Sequence, residues 1–303
     1  MAKLEVDITH PSFTDIIDVD AGIEQVITGF DFLEGPIWHP TYGSIFFSDI
    51  MGNSLYSWNP EHGLNKRRIN SYMANGNAYD HQGRFVTCEH ATSRVTRTDI
   101  TNDAYEVLAS HYDGKELNSP NDIVVKRDGM IYFTDPTSGR SEGFGVPRDQ
   151  ELSFQGVYKL DPESKELTLL VDDFSKPNGL CFSKDESLLY VNDTDRQHIR
   201  VFDVLVDGTL ANGRLFANLE GSLPGVADGM KIDEDENVYS CGPGGIQVFS
   251  KDGTHLGNIL MPEKTANFVF GDEDRKSLYI TASTSVYKIR VNVPGFLTFN
   301  PKD

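Results

Sequence analysis

The 303-residue sequence predicts an all-β fold, a six-bladed β-propeller with four-stranded antiparallel blades. Three observations lead there. A short phrase returns six times, at Glu34 (EGPIWHPTYGSIFFSD), Asn75 (NGNAYDHQGRFVTCE), Asn121 (NDIVVKRDGMIYFTD), Asn178 (NGLCFSKDESLLYVND), Asp228 (DGMKIDEDENVYSCG) and Asn267 (NFVFGDEDRKSLYITA). Aligned on the run after its turn, it superposes Phe46, Phe85, Tyr132, Tyr190, Tyr239 and Tyr279. The intervals are 39, 47, 58, 49 and 40 residues, the spacing of propeller blades rather than of helical solenoids. Between the β-rich runs, 27 Gly and 14 Pro mark many tight turns.

Length alone suggests about two domains. The repeats use nearly everything after residue 30, which predicts one propeller domain over residues 1–303. Residues 1–30 precede the first repeat, yet IEQVITGF (23–30) reads as a strand. A ring must close, so this segment is expected to supply the outermost strand of the blade built around 267–290. Blade four shows the pattern most plainly: GLCFS, LLYVND, HIRVFDV and TLANGRLFA, separated by KDES, TDRQ and DG turns. Blade three carries an insertion, PTSGRSEGFGVPRDQELSFQG (136–156), which explains the longest interval. Such a loop either covers a binding mouth or is inert.

Bulk properties exclude several classes. With 27 basic against 46 acidic residues, the net charge is −19, and no basic stripe offers a path for a phosphate backbone. Nucleic acid is therefore not an expected partner; the acidity serves solubility and helps attract a divalent cation. Cys88, Cys181 and Cys241 form neither a disulfide framework nor a zinc-spaced pair. No apolar leader or membrane-length run is visible, and the chain reads as a cytoplasmic protein of a reducing compartment.

The repeat also superposes Glu34, Asn75, Asn121, Asn178, Asp228 and Asn267, each eight or nine residues before its turn. Every one bears a side-chain oxygen and enters the strand that lines the channel of a propeller. For Asn75 and Asn267, turn shaping stands equally beside a functional role. Two carboxylates aimed into one channel, at Glu34 and Asp228, repel each other unless a cation lies between them. With Asn121 and Asn178 they make an all-oxygen set of net charge −2, suited to one divalent ion: Ca²⁺ first, with Mg²⁺, Mn²⁺, Zn²⁺ or Fe²⁺ as alternatives.

The segments LEGPIW (33–38), TCEHATSRVTR (87–97), SPNDIVVKRDGMIYFTDP (119–136), KPNGLCFS (176–183) and GVADGMKIDEDENVY (225–239) carry a resemblance. In order and spacing they are similar to the SMP-30/gluconolactonase/LRE family, in its bacterial gluconolactonase-like branch. The resemblance implies a six-bladed propeller with one divalent metal held by Glu34, Asn121, Asn178 and Asp228, and hydrolysis of aldonolactones such as glucono-1,5-lactone. One departure is visible: animal members carry Arg where this chain has Ser119.

The expected chemistry is a carbonyl polarised by the metal and attacked by water, with Asp228 as general base. Asn75, Asn121, His90, Glu89 and Asp193 are candidate substrate contacts. His90 alternatively serves as a structural hydrogen-bonder, and Asp49, Asp135 and Asp193 alternatively cap the turns that follow their strands. Two other functions stay open: a calcium-dependent phosphotriesterase, and a non-catalytic calcium-binding propeller.

Overall fold

A computed structural model describes residues 2–99 and 104–297. Six antiparallel sheets, each of at least four strands, surround a central channel. The innermost strands are Leu33–His39, Ala74–Tyr79, Ile123–Val125, Pro177–Phe182, Met230–Ile232 and Thr265–Gly271. Each packs against the next, and the last meets the first, which closes the ring. Blade four runs Pro177–Phe182, Leu188–Asp193, His198–Val204 and Leu210–Asn218, close to the segments expected from its sequence.

The aromatic of each second strand is buried in all six blades, which explains why the phrase repeats it. These rings fill the seams between blades. Phe46 meets Phe85 edge-on at 5.1 Å, Tyr132 meets Phe182 at 4.9 Å, and Trp38 stacks on Tyr279 at 5.5 Å. Such pairs add about 0.5–1.5 kcal/mol each beyond their buried area.

Closure follows the expected route. Gly22–Thr28 pairs antiparallel with Ser285–Arg290 as the fourth strand of the last blade. The N-terminal segment goes further than expected, however. Ala2–Lys3 adds a fifth strand outside Gly22–Thr28, and Glu5–Ile8 pairs with Gly257–Leu260 of blade five. One segment thus clasps two neighbouring blades, because the chain crosses their shared edge before entering the ring. Among the described residues no helix is long and apolar enough to cross a membrane. Cys88, Cys181 and Cys241 are free and buried.

Candidate active site

Each ligand candidate is set by a backbone device that recurs around the ring. The second strand of three blades ends in Asp, and that carboxylate accepts a backbone N–H two residues before the site residue of the same blade. Phe32 donates to Asp49 at 3.0 Å, Ser119 to Asp135 at 2.8 Å, and Lys176 to Asp193 at 3.2 Å. A second device crosses between blades. Ser48 Oγ donates to the Asn75 carbonyl at 2.7 Å and Thr134 Oγ1 to the Asn178 carbonyl at 2.7 Å; the Asn192 amide donates to the Asp228 carbonyl. Strand register shifts at Glu34/Ile37, Ala74/Asn77, Pro177/Leu180 and Thr265/Asn267, and such irregularities re-aim side chains.

Glycine after a site residue has a packing reason. At Gly35, with φ of 52°, an added Cβ would lie 1.9 Å from the Asn75 carbonyl oxygen; at Gly179 it would lie 2.2 Å from that of Asp228. Neighbouring blades touch backbone to backbone there, so these glycines serve close approach rather than a turn.

Glu34, Asn121, Asn178 and Asp228 come together in a cavity of about 280 Å³ at one end of the channel, and Asn75 and His90 line it too. Glu34 Oε2 accepts the Gly35 N–H at 2.6 Å and the Asn267 amide at 3.0 Å. The Asn178 amide donates to Thr194 Oγ1 at 3.0 Å, and that hydroxyl donates to the Ala227 carbonyl at 2.8 Å. Asn178 Oδ1 is thereby turned to the cavity.

The Glu34 and Asp228 carboxyls lie close enough to share a hydrogen bond. Burial pushes Glu34 up to about 7, against the Gly35 N–H, and the Asp122 charge adds to the rise. Burial drives Asp228 well above the carboxylate range, and the Glu34 charge reinforces it. Two buried carboxyls with two carboxamides beside them form a hard-oxygen set that fits a divalent cation. Asp122, one residue beyond Asn121, is also raised by burial and eased by the Lys231 charge.

His90 has both ring nitrogens engaged. The Phe144 carbonyl, 2.8 Å away, can only accept, so Nδ1 carries the proton and Nε2 accepts from the Asn75 amide at 3.1 Å. Burial lowers its pKa to about 4, which keeps the ring neutral.

Glu89 and Asp193 do not line the cavity. Glu89 is buried among Arg68 (3.1 Å), Thr92 (2.8 Å) and Tyr105 (3.1 Å). Asp193 accepts the backbone N–H groups of Ser175, Lys176, Asp195 and Arg196, the capping role that its position at a strand end allowed. Ser119 also stays out of the cavity; its hydroxyl accepts the Gly139 N–H at 2.9 Å and so anchors the insertion.

That insertion belongs to the mouth. Ser138, Ser141 and Phe144 line the cavity, and Phe144 meets Phe32 edge-on at 4.9 Å. Arg140 is buried beneath it, donating to the Asn118 and Leu117 carbonyls and to Glu116. Lys176 and Lys264 complete the rim. Sequence reasoning missed both, although each lies only two or three residues before a repeat start.

The SMP-30/Gluconolactonase/LRE-like region matches residues 32–284. The chain belongs to that family. It is 30% identical over 307 residues to a gluconolactonase of Zymomonas mobilis, covering 94% of this chain and 85% of that one. A pentonolactonase of Haloferax volcanii is 25% identical over 258 residues, covering 82% and 81%. The solved structure of a gluconolactonase from Xanthomonas campestris superposes with a TM-score of 0.87 at 34% identity, covering 94% of each chain.

Proposed function

We propose that this protein is a lactone hydrolase that opens sugar lactones, aldonolactones among them. Glu34, Asn121, Asn178 and Asp228 would hold one divalent cation, Ca²⁺ first. The observation that carries the reading is the meeting of the Glu34 and Asp228 carboxyls beside two carboxamides in one cavity. Membership of a family with lactonase relatives supports the class of reaction. When bound, such an ion supplies Lewis acidity to the ester carbonyl and lowers the pKa of water.

The chain's own residues do the rest. Asp228 takes the proton of the attacking water as its oxygen bonds to the carbonyl carbon; the ring C–O bond breaks, and the leaving oxygen departs as a hydroxyl carrying that proton. Proton transfer of this kind is worth roughly 10²–10⁴ in rate. Asn267 and the Gly35 N–H hold Glu34 in place, and Thr194 does so for Asn178. His90 fixes the Asn75 amide, which leaves Asn75 Oδ1 to accept a sugar hydroxyl. Phe32, Ile50, Phe144 and Val226 supply an apolar wall that limits water.

The test is a hydrolysis screen over aldono-1,4- and 1,5-lactones and an organophosphate triester, on chelated protein refilled with each divalent ion. Lactone opening lost on chelation and restored by one ion is expected. Faster organophosphate hydrolysis would favour the phosphotriesterase, and ion binding with no hydrolysis anywhere would sink the enzymatic reading.

A further inference from the structure

We infer that Lys176 and Lys264 select lactones that carry a negative charge of their own, a carboxylate or a phosphate at the end away from the ester. The inference rests on the lactone-hydrolase reading and names its substrate class.

Both lysines line the cavity that holds Glu34 and Asp228. Lys176 is half-buried, and its backbone N–H is pinned to Asp193, so its side chain starts at the rim two residues before Asn178. Lys264 is exposed on the blade-six side, and its charge is felt at Asp228. Neither ammonium forms an ion pair with a carboxylate among the described residues, whereas many basic side chains elsewhere do, including Lys126, Lys184 and Lys288. In a chain of net charge −19, a mouth with two unpaired cations is a local reversal of sign.

The charge count points the same way. The titratable groups that line the cavity are Glu34, Asp228, His90, Lys176 and Lys264, and the buried Asp122 behind them is offset by the Lys231 charge. A divalent ion cancels the two carboxylates, and His90 is held neutral between Asn75 and Phe144. Two positive charges then remain at the rim. A neutral sugar lactone leaves both ammonium groups without a counter-charge, while an anionic one pairs with them and is steered toward the mouth.

The experiment compares kcat/KM for glucono-1,5-lactone, glucaro-1,4-lactone (carboxylate) and 6-phosphoglucono-1,5-lactone (phosphate) on the ion-loaded protein. At low salt, at least one anionic lactone should exceed the neutral one by tenfold or more, and its identity tells carboxylate from phosphate. Raising the salt to 0.5 M should shrink that ratio several-fold. In Lys176→Met/Lys264→Met the ratio should fall at least tenfold through KM, and Lys264→Arg on the Lys176→Met background should recover part of it. A ratio near one in the unmodified protein, insensitive to salt, overturns the inference while the lactonase reading stands. No turnover on any of the three lactones overturns both.

Discussion

At one end of the central channel, Glu34, Asn75, Asn121, Asn178 and Asp228 face a cavity of about 280 Å³. At the other end, four residues further along the same segments, Trp38, Tyr79, Val125, Phe182 and Ile232 line a hollow of about 100 Å³. The lining of that end is mostly apolar. The polar end holds two carboxyls that burial raises, with the Asp122 charge adding to the rise at Glu34 and the Glu34 charge to that at Asp228. Lys231 stands between the two ends, with Nζ donating to the Met230 carbonyl at 2.9 Å and to Asn267 Oδ1 at 3.4 Å. The difference teaches that the oxygen-bearing side chains gather at the entry of each innermost strand and the apolar ones at its exit.

The largest expected break in this contrast is Asp228→Ala. Hydrolysis should fall at least about 10³-fold, since the proposed ion ligand and the proposed general base are lost together; turnover within tenfold of the parent would remove Asp228 from both roles. At the opposite end, Phe182→Ala should cost about 3–5 kcal/mol in denaturant unfolding, because the ring is buried against Tyr132, with ion affinity changed less than threefold. A loss of ion affinity in that variant would show that the two ends are not separable.

Smaller effects sharpen the contrast. Without a divalent ion, a carboxyl raised to about 7 favours the folded state while protonated, so its stabilising contribution is present below about pH 4.5 and is lost as pH rises to about 7. Asp135, also pushed up to about 7 by burial, slopes the same way. The informative quantity is therefore the difference between the parent and Glu34→Gln. The variant should lose several degrees less in Tm between pH 4.5 and 7.5 after chelation, and calorimetry should show its ion affinity lowered by more than tenfold. Parallel Tm–pH curves would deny Glu34 its shift. Asn267→Ala, which removes the amide that orients Glu34 together with the oxygen that accepts from Lys231 and the Phe268 N–H, should weaken ion binding by about threefold to tenfold. An effect as large as that of Glu34→Gln would instead make Asn267 a ligand.

Much of this was legible in the chain, because a repeat states its own symmetry. Six copies of one phrase with one buried aromatic each specify the blades, and residues superposed by the repeat must converge if the ring closes. The Glu34, Asn121, Asn178 and Asp228 cluster needed no more than that. Asp193 shows the limit: its place at a strand end allowed either a substrate contact or a cap, and only the four backbone donors around it decide for the cap. Glu89 likewise reads as a mouth residue until Arg68 and Tyr105 are seen to enclose it.

Sequence by itself determined the strand pattern, the blade count and the oxygen-bearing residues at each blade's entry, since all of these are local and periodic. Only the tertiary structure decided that Gly35 and Gly179 permit contact between blades, that the 136–156 insertion roofs the cavity through Phe144, and that Lys176 and Lys264 stand at its rim. It also decided that Glu5–Ile8 joins blade five. The reason is physical: these relations are distances across the closed ring, and no residue's own neighbours in sequence encode how far it sits from another blade.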